Sequence, residues 1–142
     1  MNQAIRTRTR RIEKPGGVYL MTAYDFIAMG LIPFISMIFA LSHPNQGYGV
    51  VEVFVSLVLC LAVMGASVWA LNGDNFGRQF LLAVVSITAG IWIIGALAIL
   101  TGSLTTDFGR PRVIGYIVRG VTALILNWWY FHRQNVREYY RQ

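Results

Sequence analysis

The sequence predicts an all-α integral membrane protein, a four-helix transmembrane bundle with both termini on the cytoplasmic side (N-in/C-in), and three observations predict it. First, 56% of its 142 residues are hydrophobic and 13% are charged, with a mean hydropathy of +0.54. A soluble domain clothes its surface with roughly 25% charged residues, so a cytosolic enzyme, a nucleic-acid binder and a disordered regulator are all poor readings. Second, four apolar runs stand at 17–41, 50–71, 80–100 and 113–131. At about 1.5 Å per residue each run crosses a hydrocarbon core of about 30 Å. Backbone polar groups cannot go unpaired in lipid and no alternating barrel pattern is present, so each run should be a helix. Third, an N-in topology puts the N-terminal arm, Arg78, Arg133, Arg137 and Arg141 in the cytoplasm and leaves Arg110 and Arg112 outside, as the positive-inside bias requires.

Residues 1–16 form a basic cytoplasmic arm carrying Arg6, Arg8, Arg10, Arg11 and Lys14. Directly before a long apolar run, such an arm is better explained by topology and attraction to anionic lipid than by nucleic-acid binding. The first run imitates a secretory signal, but it is too long and Asp25 interrupts it, so we expect it to be retained. Pro33 within it removes a backbone donor and should kink the helix. The connections around 42–47, 72–75 and 101–111 are rich in Gly, Pro, Asn and Asp, which is turn chemistry. Such short loops make sequential helices antiparallel neighbours within the 17–131 domain.

In the second and third runs, Ala62, Ala66 and Ala70, and then Ser86 and Gly90, recur every four residues and allow close helix approach, within the chain or against a partner. The single cysteine, Cys60, sits mid-span and reads as core filler. Trp69, Trp128, Trp129 and Tyr130 lie at inner span ends, where amphipathic rings favour the interface; Trp92 lies mid-span and should pack on a helix or on lipid. The tail, 132–142, places Arg133, Arg137 and Arg141 on one helical face and should lie on the inner membrane surface.

One resemblance appears. The segment Trp69 to Arg78 (WALNGDNFGR), the later Asn127 with Tyr130, the ending Val136-Arg137-Glu138-Tyr139-Tyr140 and the opening Lys14-Pro15-Gly16-Gly17-Val18 resemble marks of small four-helix bacterial and archaeal membrane proteins of unknown function. The resemblance covers almost the whole chain and implies a prokaryotic four-helix fold and no particular activity.

The ionisable residues inside the spans are the informative ones, because a charge at the bilayer centre costs several kcal/mol, at least about 2.5 on insertion scales. They are Asp25, Glu52 and Arg119. By rise along the helix, Glu52 lies about 3 Å and Arg119 about 9 Å below the outer edge. A Glu52–Arg119 clasp between helices two and four would offset desolvation; snorkelling of Arg119 and an anion-binding or permeation role are the alternatives. Asp25 lies about 12 Å and Asn127 about 6 Å below the inner edge, so the two can share a polar cluster. That cluster either ties helix one to helix four or serves as a proton or cation site, and the tie is the simpler reading. His43 and His132 stand at span ends and are poor candidates for haem or pigment ligands. No phosphate loop, catalytic triad or metal-ligand spacing is present, so we expect no catalytic residue, metal or cofactor.

These readings lead to a non-enzymatic accessory or assembly subunit of a larger membrane complex, in a bacterial or archaeal cell membrane or an internal membrane. Its expected contacts are anionic lipids of the cytoplasmic leaflet, through the arm, Arg133, Arg137 and Arg141, and other membrane subunits, with no nucleic acid. The alternative is a small homo-oligomeric channel or carrier using Asp25 or Arg119; a membrane enzyme or redox carrier is a third reading.

Overall fold

The computed structural model describes residues 14–42, 50–102 and 110–141. The arm residues Arg6, Arg8, Arg10 and Arg11, together with His43, lie outside the described residues. Within them the chain is helical without strands, and four helices are long and apolar enough to span a membrane. The first span is composite: helix α1 (Gly16–Tyr24), a π-helical stretch (Asp25–Leu31) and helix α2 (Ile32–Ser42). Helices α3 (Val50–Leu71), α4 (Asn75–Leu100) and α5 (Arg110–Phe131) form the other three spans, and a short helix α6 (Gln134–Tyr139) follows.

Two helix starts differ by several residues from the limits of the apolar runs. Helix α4 begins at Asn75 instead of residue 80, because Asp74 caps it: the carboxylate accepts a 3.0 Å hydrogen bond from the Phe76 amide, the usual N-cap arrangement. Hydropathy misses this first turn because Arg78 and Gln79 are polar. Helix α5 begins at Arg110 instead of 113, with Pro111 in the first turn, where a missing backbone N–H leaves no helical bond unmade.

Just before Pro33 the first span widens into a π-helical stretch. The Ile32 amide bonds the Ile27 carbonyl, five residues back. A regular helix would bring the Pro33 ring against the Met29 carbonyl and leave that oxygen without its donor; π turns bond residues five apart and so do not call on the missing Pro33 donor for Met29. The wide segment carries Gly30, where a Cβ would lie 2.5 Å from Met64 Cγ on α3. The missing side chain thus sets how closely the first two spans approach.

Consecutive spans pack on one another, the first on α3, α3 on α4, and α4 on α5. Val18, Met29, Val63, Ala66, Ala70, Leu81, Val85, Ala89, Ala123 and Phe131 are buried between them. Leu20, Phe39, Phe54, Leu61, Ile94 and Ile125 are exposed, a large apolar exterior suited to lipid. Ala66 and Ala70 face this core and Ala62 packs at its margin, so that part of the small-residue stripe serves within the chain. A Cβ at Gly90 would meet nothing. Trp92 rests edge-on to Tyr116 of α5, with 6.0 Å between centroids.

Candidate functional site: a buried polar pair and the terminal end of the bundle

Asp25 and Asn127 are fully buried, and Asn127 Nδ2 donates to Asp25 Oδ1 at 2.8 Å. Asn127 Nδ2 also donates to the Ala123 carbonyl, one turn back, at 3.0 Å. The bond joins the first span to the last, two elements placed 102 residues apart in the chain. Asp25 opens the π stretch, so the irregular backbone and the buried acid coincide. Two oxygens of the pair, Asp25 Oδ2 and Asn127 Oδ1, are buried without a hydrogen-bond partner. Such orphan acceptors carry a cost of roughly 1–3 kcal/mol each when no donor reaches them. Elsewhere in the spans the Thr22 and Ser67 hydroxyls donate to carbonyls of their own helices, while the buried Thr88 hydroxyl has no partner. Ser86 accepts a 3.0 Å bond from the Trp128 indole, linking α4 to α5.

Arg119 is half-buried on α5. Glu52 is exposed in the first turn of α3. The structure brings Asp25 together with Asn127, whereas spans two and four, which carry Glu52 and Arg119, are not packed side by side.

The second cluster lies where both described ends of the chain meet the bundle. A helix leaves its last carbonyls without intrahelical donors and carries partial negative charge there. Here each such end finds a donor from elsewhere in the chain. Lys14 Nζ donates to the Leu71 carbonyl at the end of α3 while lying 4.4 Å from the Tyr19 ring centroid. Tyr140 Oη donates to the Ala70 carbonyl at 2.9 Å. Arg78 Nη1 donates to the Phe131 carbonyl, the last of α5, at 3.0 Å. The tail is therefore folded against the bundle: Val136 and Tyr140 are buried beside Phe131, while Arg133, Arg137 and Arg141 are exposed. Burial, aided by the neighbouring Tyr139, pushes the Tyr140 phenol above its ordinary range, and Arg78 opposes this.

The loop between α3 and α4 completes this end. Gly73 has φ +84° and lies beneath Tyr139, whose hydroxyl occupies the place of a Cβ; both facts favour glycine. Asp74 accepts from the Trp69 indole at 3.0 Å as well as from Phe76. Gly77 lies against the Trp69 backbone, and Trp69, Phe76 and Phe80 pack ring against ring. His132 stacks on Trp128 at 4.8 Å.

Sequence reasoning picked out Asp25 and Asn127 but gave Gly73, Asp74, Arg78 and Tyr140 no role in a site. Their signal was present in the segments WALNGDNFGR and VREYY, whose residues meet in space at this one end. Among the described residues no group of three or more His, Cys, Asp or Glu is gathered as for a metal ion. No protein-family model, curated protein or solved structure matches the chain.

Proposed function

We propose that the protein is a non-enzymatic accessory or assembly subunit of a larger membrane complex, inserted N-in/C-in in a prokaryotic cell membrane or an internal membrane. The observation that carries this reading is how the polar groups inside the spans are used. Asn127, Ser86 and Trp128 join one helix to another, and Thr22 and Ser67 bond within their own helices. The exterior is mostly apolar side chains that suit lipid or the spans of another subunit. The test is native mass spectrometry of tagged protein, gently extracted from its own host membrane, with an absorbance spectrum of the same sample. Stoichiometric copies of different subunits support the reading, and a clean monomer overturns it.

A second reading, a small homo-oligomeric channel or carrier working through Asp25 or Arg119, is favoured by one feature: the partnerless Asp25 Oδ2 beside π-helical backbone. Ionisable residues within spans often mark ion or proton routes, and π segments are common at functional sites. Flux measured in liposomes decides it. Asp25→Asn and Arg119→Gln should alter flux, and unchanged flux in folded variants removes this reading.

A further inference from the structure

The terminal end of the bundle holds a cluster of like charge that the fold itself does not neutralise. Arg78 stands in the first turn of α4, half-buried, 5.7 Å from the Tyr140 ring centroid. Tyr140 is anchored on the Ala70 carbonyl, with Arg141 next to it and Arg137 about one helical turn before it, so its contact with Arg78 draws both tail arginines to the same end of the bundle. Three guanidiniums are thus gathered at one end of the bundle. The carboxylates nearby in sequence have other partners: Glu138 accepts from Gln134 at 2.9 Å, and Asp74 serves Trp69 and Phe76. Arg78 gives one donor to the Phe131 carbonyl, and its Nε is buried without an acceptor. Packing of Val136 and Tyr140 against the bundle holds these charges together.

We propose that Arg78, Arg137 and Arg141 form a binding site for the phosphate headgroup of an anionic phospholipid at the terminal end of the bundle. Guanidinium forks match phosphate oxygens in geometry as well as in charge. The depth argues for a lipid over a free anion. The cluster lies where the spans end, with the exposed rings of Trp69, Trp128 and Trp129 at the same end, as expected at headgroup level. Basic pockets at span ends are a recurring mode of anionic-lipid recognition. Arg133 is separate from the cluster, stacked 3.6 Å from the Trp129 ring centroid.

The test uses the full-length chain in detergent, titrated separately with phosphatidylglycerol, phosphatidylcholine and inorganic phosphate, with bound lipid counted by native mass spectrometry. We expect retained phosphatidylglycerol adducts, no comparable retention of phosphatidylcholine, and no displacement by millimolar inorganic phosphate. Because Arg78→Gln also removes the donor to the Phe131 carbonyl at the end of α5, the deciding variant is Arg137→Gln/Arg141→Gln, on the exposed tail. It should weaken phosphatidylglycerol binding roughly thirtyfold, the loss expected for two arginines at a membrane surface. Equal retention of the two lipids, competition by inorganic phosphate, or full binding by the double variant would each overturn the site.

Discussion

Replacing Asn127 with leucine leaves a similar volume but removes the donor to Asp25 Oδ1. Asp25 is fully buried and its Oδ2 already lacks a partner, so the variant strands an acid with no donor from Asn127. The expected loss is about 2–3 kcal/mol, the cost of a buried polar group left unsatisfied. The reciprocal change, Asp25→Leu, is milder, because Asn127 Nδ2 keeps its 3.0 Å bond to the Ala123 carbonyl. About 1 kcal/mol is expected there, in line with interhelical hydrogen bonds in membranes. The double variant removes both polar groups and should also lose about 1 kcal/mol, well short of the summed losses, a coupling of about 2–3 kcal/mol. Unfolding in mixed micelles titrated with dodecyl sulfate gives these energies. A maleimide dye supplies the readout, since the single cysteine, Cys60, is 2% exposed in the folded chain. Single-variant losses that add to within about 0.5 kcal/mol would refute the coupling. Equal losses for the two single variants would refute the asymmetry assigned to the Ala123 bond.

Three further outcomes follow from the terminal end, all read by the same unfolding assay. Tyr140→Phe should cost about 1 kcal/mol through the lost bond to Ala70. The phenol is raised above its ordinary value of 10.0 in the folded chain, so its contribution is whole below that pH and is lost as pH rises beyond it; the variant should show a flatter alkaline limb. Gly73→Ala should cost about 1–2 kcal/mol, since it places a Cβ at positive φ and displaces Tyr139; an unchanged midpoint would count against this turn geometry. Asp74→Ala should lose about 1–2 kcal/mol with the α4 cap, whereas Asp74→Asn, which still accepts from Phe76, should lose less.

Much of the site was legible because depth is a one-dimensional quantity. Counting residues from the span ends brings Asp25 and Asn127 to overlapping levels on antiparallel helices, and the structure joins them. The same counting offered Glu52 and Arg119 as a pair, but their spans do not pack side by side, and only the angular placement of the helices reveals that. The π stretch was half legible: Pro33 announces a missing donor, while the response to it also involves the approach of Met64 to Gly30.

Apolar content and the lengths of the four runs were enough for an all-helical chain with four membrane-length helices, because hydropathy and helical rise are properties of each segment alone. Tertiary structure decided which carbonyl each end-group reaches. Lys14 caps a helix that ends at Leu71, Tyr140 bonds Ala70 and Arg78 bonds Phe131. These partners are 53 to 70 residues apart in the chain. Their meeting depends on how each helix is rotated about its own axis and on where the tail turns back, and no local pattern in the sequence encodes either.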